Sequence, residues 1–308
     1  MEVSLISAEL LLEKFFKFFR KEKKIDSELL KKFICHHQGE LIQYFFIASE
    51  RHKVLKESLK SKTCNKEVIK EKIRELTTFL NSKFENVSIW SFDIIKQSFK
   101  ERDKILPRVC LKANYRPEQN LIAPLFRDKN VGYDSTCNIE ENTGFKYIKG
   151  NGRYFIENNI PLSIKKEKYN NPRINKDRAK KYKDISWKKL FSKKYYDENW
   201  IKCWNMLNNV EPDWKSCYKS TLIIPLTLFN NPLSDEFKEK FKLEEVQRII
   251  FGYLCLDHIK INYFNEDIDI DLGYIFADIL SLYLLVRAIF ITQSTTYKEA
   301  IEFLKNDT

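Results

Sequence analysis

The sequence predicts an α+β fold preceded by a helical extension, and three observations predict it. Apolar residues recur at helical spacing over 4–20, with Leu12, Phe15, Phe16 and Phe19 on one side, and over 65–83, with Val68, Ile69, Ile73, Leu76, Thr77 and Leu80 in a stripe. Two β-branched apolar runs, 217–228 (CYKSTLIIPLTL) and 249–257 (IIFGYLCLD), have strand character with a Pro or Gly inside. Residues 264–287 open on acidic side chains and continue apolar at helical spacing, which predicts a long closing helix.

The elements follow in order. After the helix over 4–20, Ser27 opens a second helix running to about residue 34, with Cys35-His36-His37 at its exposed end. Residues 40–62 and 65–83 form two further helices, or one broken near 63–65. Residues 86–93 (NVSIWSFD) alternate and form the first strand, and 94–103 are short and helical or irregular. Residues 108–115 (RVCLKANY) alternate again as the second strand. Residues 116–143, rich in Asn, Asp and Pro, form a long loop with room for a short helix. Residues 144–160 form a hairpin turning at Gly150-Asn151-Gly152. Residues 195–209 are helical, and 229–247 are a charged, partly helical insertion between the last two strands. The chain thus divides into a helical extension, 1–84, for dimerisation or partner binding, and a domain, 85–308.

Composition narrows the function classes. The 43% apolar and 31% charged content suits a soluble core-bearing protein, and seven glycines and eight prolines are too few for a low-complexity chain. The seven cysteines are at least fourteen residues apart, with no C-x-x-C pair, which excludes zinc ribbons and dithiol redox motifs and suits reduced thiols. No secretory signal is visible, because Glu9, Glu13, Lys14 and Lys17 break the first apolar stretch. The longest apolar run, 275–291, contains Asp278 and Arg287 and falls short of a clean membrane span. A cytoplasmic protein with no membrane partner is expected.

Charge is concentrated. The net charge is +11, and residues 165–196 alone carry thirteen Lys/Arg against Glu167, Asp177 and Asp184. These bases alternate with Tyr169, Tyr182, Trp187, Phe191, Tyr195 and Tyr196. Cations beside aromatic rings suit phosphate contact with stacking on a base, whereas a charge run by itself is usually a solvated loop. A pure solubility tract has no use for six large aromatics.

The closing part of the chain resembles a GAF sensory domain. Ser220 and Pro225-Leu226 match that family's penultimate strand, Gly252, Leu254 and Leu256 its last strand, and Phe264, Asp267 and Ala277 its closing helix. The similarity spans about 85–290 and is best in 217–286. It implies a twisted antiparallel sheet flanked by helices, a ligand cavity between the sheet and the segment joining its middle strands, and a basic aromatic insertion, 165–196, at the lid position. A cationic lid implies an anionic small molecule such as a nucleotide or cyclic nucleotide. Arg173 and Arg178 would pair with phosphate, Lys180, Lys181 and Lys188 would act as point charges, and Tyr182 and Trp187 would stack. The family's cyclic-nucleotide signature is not intact: Asn262, Phe264 and Glu266 keep part of it. No cysteine sits in a bilin-attachment motif.

Catalytic signatures are absent. There is no Walker motif, G-x-S-x-G, H-E-x-x-H or kinase set. Asp257 and His258 are neighbours on a strand and point to opposite faces, which favours a structural role. Glu266, Asp267, Asp269 and Asp271 sit where carboxylates cap a helix N-terminus, a better fit than an acidic metal loop. Three functions stand: a non-enzymatic ligand sensor signalling through its N-terminal helices to a second copy or a protein effector; a nucleic-acid-binding protein using 165–196; and a ligand-free scaffold that dimerises through its helices.

Overall fold

The computed structural model describes residues 27–61, 64–100, 102, 105–116, 119–127, 136–171, 218–229, 234–241 and 248–305. The helices expected over 4–20 and 195–209 lie outside them. Two long helices come first, α1 (Ser27–Lys60) and α2 (Lys66–Ser98). Then follow β1 (Arg108–Arg116), β2 (Leu121–Arg127), β3 (Cys137–Asn138), α3 (Thr143–Asn151), β4 (Phe155–Glu157) and α4 (Ile160–Lys165). After them come β5 (Ser220–Phe229), α5 (Asp235–Phe241), β6 (Arg248–His258), α6 (Glu266–Arg287) and α7 (Thr295–Lys305), the last two joined by a π-helical turn, Ala288–Thr292. The strands form one antiparallel sheet in the order β3-β2-β1-β6-β5-β4. The expected α+β class and antiparallel sheet are both present.

Strand alternation divides the core into two layers. Val109 and Leu111 of β1, Leu254 and Leu256 of β6, and Leu222, Ile224 and Leu226 of β5 face the large cluster formed with α1, α2, α6 and α7. Cys110, Tyr253, Cys255 and Ile223, the alternate residues, face a smaller cluster with Ile122, Ile139, Phe145 and Ile148. Helix α6 is long and apolar enough to cross a membrane. In this fold Ile268, Leu272, Phe276, Leu280 and Tyr283 of that helix are buried in the protein core.

Residues 86–93 are helical, not a first strand: α2 runs unbroken from Lys66 to Ser98, across the position where the extension was expected to end. The buried positions Phe84, Val87, Ser88, Ser91, Phe92 and Ile95 repeat every three to four residues. Ser88 and Ser91 mimic the polar half of an alternating strand, yet their hydroxyls donate to Phe84 O and Val87 O at 2.7 Å and enter the core satisfied. Likewise the helix opened by Ser27 does not stop near residue 34 but continues to Lys60. His37 is therefore no exposed helix end; it is 3% exposed and ties three helices together. Ser91 has given its proton to Val87, so His37 Nε2 donates to Ser91 Oγ (3.1 Å) while Nδ1 accepts from Tyr283 Oη (3.1 Å).

The expected hairpin over 144–160 is also replaced. Asn142 caps α3 by accepting from Gly144 N and Phe145 N, and Gly152, at φ 86°, stops it with its N–H on Ile148 O at 2.8 Å. Gly150-Asn151-Gly152 is thus a helix end. The loop expected over 116–143 contains β2, whose Pro124 sits opposite Lys112 beside a register shift in β1, where a missing donor is tolerated. The insertion between β5 and β6 does contain a short helix, α5.

The acidic start of α6 serves the fold. Asn265 caps it by accepting from Asp267 N (2.8 Å), and the wholly buried Asp269 accepts from Asn265 N (2.8 Å) and from Arg102 Nη1 (2.5 Å). Removing Arg102 strands a buried carboxylate, whereas removing Asp269 leaves a partly solvated guanidinium. Arg102→Ala is therefore expected to cost about 3 kcal/mol and Asp269→Ala less, measured by urea unfolding.

Burial pushes the His37 imidazole down from 6.5 to about 3, with His36 adding to the effect. It stays neutral in the fold while the unfolded chain takes a proton below 6.5, so its contribution is complete above pH 6.5 and declines as pH falls towards 3, by up to about 1.4 kcal/mol per unit. His37→Gln, which keeps a donor and an acceptor without titrating, should flatten that part of the stability–pH curve between pH 6.5 and 4.

Candidate functional site

The sheet face turned away from the long helices holds a small, partly open cavity of about 30 Å³. Three central strands form its floor through their alternate residues. Arg108, Cys110 and Lys112 come from β1, Cys255 and Asp257 from β6, and Thr221 and Ile223 from β5. Phe145, Cys137, Asn142, Tyr169, Asn171 and Tyr218 close the sides.

The pairing register arranges this floor in rows. Asp257 lies opposite Arg108 on one side and Thr221 on the other, and the Thr221 hydroxyl donates to Asp257 Oδ1 at 2.7 Å. Cys110 lies opposite Cys255, which lies opposite Ile223. Lys112 lies opposite Tyr253. One end of the floor is thus a polar row of Arg108, Asp257 and Thr221, the middle is thiol and apolar, and the far end is cationic. Arg108 and Lys112 are separated by four residues of strand, about 13 Å.

Lys112 is the unusual member. It is 9% exposed, and among the described residues its ammonium has no carboxylate or hydrogen-bond partner. Its nearest compensation is the face of Phe145, 5.3 Å from the ring centroid. A desolvated cation at a cavity wall is costly unless an anion meets it. Arg108, 6% exposed, lies across the register from Asp257, so among the described residues the floor's carboxylate is in Arg108's row and not in that of Lys112.

The thiols are held against reactivity. Burial pushes Cys137 up and Cys255 well up, against the opposing influence of Lys112, so both remain protonated at neutral pH. Tyr169 is likewise raised by burial. His258, on the other side of β6, serves the fold: Nε2 donates to Ile105 O (2.9 Å), Nδ1 accepts from Lys260 N (3.1 Å), and its ring stacks on Tyr263. No group of three metal-ligating side chains occurs among the described residues.

The seven residues expected to bind ligand, Arg173, Arg178, Lys180, Lys181, Tyr182, Trp187 and Lys188, lie outside the described residues. Only the first residues of their segment, up to Asn171, are described. Tyr169, the first aromatic of the basic stretch, is buried in the cavity wall and its hydroxyl is 3.2 Å from that of Tyr218. Asn171 Nδ2 donates to the same Tyr218 hydroxyl. Asn171 and Tyr218, the described residues on either side of 172–217, thus meet at the cavity wall. The floor cations Arg108 and Lys112 were missed, although RVCLKANY places them on the same side of a strand whose other side is Val109 and Leu111.

No protein-family model matches the chain, and no curated protein matches it. Among solved structures, a GAF domain is 11% identical, covering 72% of this chain and 90% of its own, with a TM-score of 0.34. The free methionine-R-sulfoxide reductase from Neisseria meningitidis, in complex with its substrate, is also 11% identical, covering 69% of this chain and 90% of its own, with a TM-score of 0.32. At that level nothing about ligand or activity passes from either structure to this chain.

The floor depends on Gly252 of β6, where a Cβ would stand 2.1 Å from Lys112 O. Gly252→Ala must push β1 aside at Lys112. We expect a loss of about 3 kcal/mol by urea unfolding, from overpacking at a site with no room to relax.

Proposed function

We propose that this chain is a non-enzymatic, ligand-sensing protein that takes an anionic small molecule, such as a nucleotide or cyclic nucleotide, on the open face of its sheet. One observation carries the reading: a nine-tenths-buried lysine, Lys112, facing a cavity and without a carboxylate partner among the described residues. A ligand anion placed there gains a charge-assisted hydrogen bond in a partly desolvated setting. The second polar row, about 13 Å away along the strand, suits a ligand longer than a simple ion.

Two further features support it. Tyr169 and Asn171, the described start of the basic aromatic segment, line the cavity, which supports keeping Arg173, Arg178, Lys180, Lys181 and Lys188 as phosphate contacts and Tyr182 and Trp187 as stacking partners. Cys137 and Cys255 are perturbed away from the thiolate, the wrong direction for a nucleophile, which favours binding over catalysis. Output passes through the N-terminal helices to a protein effector or a second copy, in the cytoplasm.

The test is a thermal-shift titration against mono-, di- and cyclic nucleotides and a short oligonucleotide at two salt concentrations. A saturable shift with one small nucleotide is expected, worth about 2.7 kcal/mol at a hundredfold excess over Kd. Lys112→Met should abolish it with the fold intact, and neutralising Arg173, Arg178, Lys180 and Lys181 together should weaken it. A shift given only by the oligonucleotide and erased by salt would replace the sensor with a nucleic-acid binder. No shift at all would leave a ligand-free scaffold.

A further inference from the structure

Two cysteines of the cavity floor face one another across the middle of the sheet. Cys110 of β1 lies directly opposite Cys255 of β6, in a register that runs without a shift from Arg108 to Ala113. Directly opposed residues of antiparallel strands have Cα atoms about 4.5 or 5.5 Å apart, according to how the pair is hydrogen-bonded. A disulfide spans about 4.4–6.8 Å between Cα atoms, so either spacing admits one without moving the backbone. Both side chains line the cavity, and both thiols are free in the structure.

Their surroundings differ. Cys110 has positive side chains about it: Arg108 and Lys112, two residues before and after, share its side of β1, and Arg127 lies directly opposite on β2. Positive surroundings with access to small molecules mark reactive cysteines, because the thiolate is the nucleophile. Cys255 is the contrasting member, since burial pushes its thiol well up and it keeps its proton. Cys137, which also lines the cavity, is aligned through Ile122 with Asn114, four residues along β1 from Cys110. The register therefore pairs Cys110 with Cys255 and leaves Cys137 aside. The cavity, at about 30 Å³, has room for a molecule the size of hydrogen peroxide.

We propose that Cys110 and Cys255 form a reversible cross-strand disulfide when a small hydroperoxide enters the cavity, which makes the sheet floor a thiol-oxidation site. Cys110, as the thiolate, attacks a peroxide oxygen; the O–O bond breaks and Cys110 becomes a sulfenic acid. The released oxygen takes up the proton that Cys110 gave up. The Cys255 sulfur then attacks that of Cys110: the S–S bond forms, the S–O bond breaks, and the hydroxyl leaves as water with the Cys255 proton. Two thiols lose two electrons in all, and hydrogen peroxide is reduced to two waters. A dithiol reductant restores both thiols by exchange.

The test treats the full chain with hydrogen peroxide under native conditions, blocks the remaining thiols with N-ethylmaleimide, and maps tryptic peptides without reduction. Trypsin releases Cys110 within residues 109–112 and Cys255 within residues 249–260. These two peptides should appear joined, two hydrogens lighter than their sum, and dithiothreitol should separate them. The oxidised chain should also unfold at a higher urea concentration, because a long closed loop constrains the unfolded chain. Cys110→Ala should remove both the joined peptide and that shift, and Cys137→Ala should leave both in place. Mapping of the wild-type chain decides the matter whether or not the variants fold. Full alkylation of Cys110 and Cys255 after a treatment that oxidises the exposed Cys35 would overturn the proposal. So would joining of either cysteine to Cys137, or a joined pair that forms only in urea, where strand register plays no part.

Discussion

The pairing register between β1 and β6 is the constraint on which the rest of the molecule depends. It turns Val109 and Leu111 towards the helices and Arg108, Cys110 and Lys112 towards the cavity. A slip of one residue would exchange the two sets, driving two cations beneath the helical layer and two large apolar side chains into the cavity. Each buried cation would then cost several kcal/mol with no partner nearby. The carboxylate of Asp257 opposite Arg108 helps fix that register, and the missing side chain at Gly252 lets the strands meet where Lys112 emerges. The cavity and the core are consequently one decision made by one strand pair.

The same alternation explains which elements could be read from the sequence. β5, β6 and α6 were legible because continuous β-branched runs and a long apolar helical stretch leave few alternatives at those lengths. Residues 86–93 misled because buried serines look like the solvent side of a strand, and only the geometry of a helix returns their hydroxyls to the preceding turn. Residues 144–160 misled because a glycine pair marks a hairpin turn and a helix end alike; what decides is Asn142, whose side chain caps the first turn ahead of them.

For the candidate site, the sequence draws attention to density of charge, whereas the fold places charge by strand position. The stretch 165–196 carries almost all the net positive charge and stands out in any window. Two cations four residues apart on a short strand stand out in none, although both are buried on the cavity side of β1. Strand alternation in RVCLKANY would have placed both cations on one side. The convergence of Asn171 and Tyr218 could not have been read: it joins residues 47 apart through a side-chain hydrogen bond that no local pattern encodes.

A sensor of the proposed kind must carry information from the cavity to the long helices, and the fold leaves one short route. The cavity floor and the helix-packed face are opposite sides of the same strands. Lys112 is adjacent in sequence to Leu111, which is wholly buried in the cluster shared with α2 and α6. A ligand anion that draws Lys112 towards the cavity acts on the backbone that holds Leu111, and close-packed interiors accommodate such a displacement by repacking in discrete steps. The neighbouring helices are already coupled to one another through His37, which bridges α1 to Ser91 of α2 and Tyr283 of α6. A displacement of α2 or α6 would meet α1 at this buried contact, and the exposed Ile42 and Phe46 of α1 lie on the side away from it. Between the cavity floor and the outer side of α1 lie one strand layer and one layer of helices, the path that a signal of the proposed kind would cross.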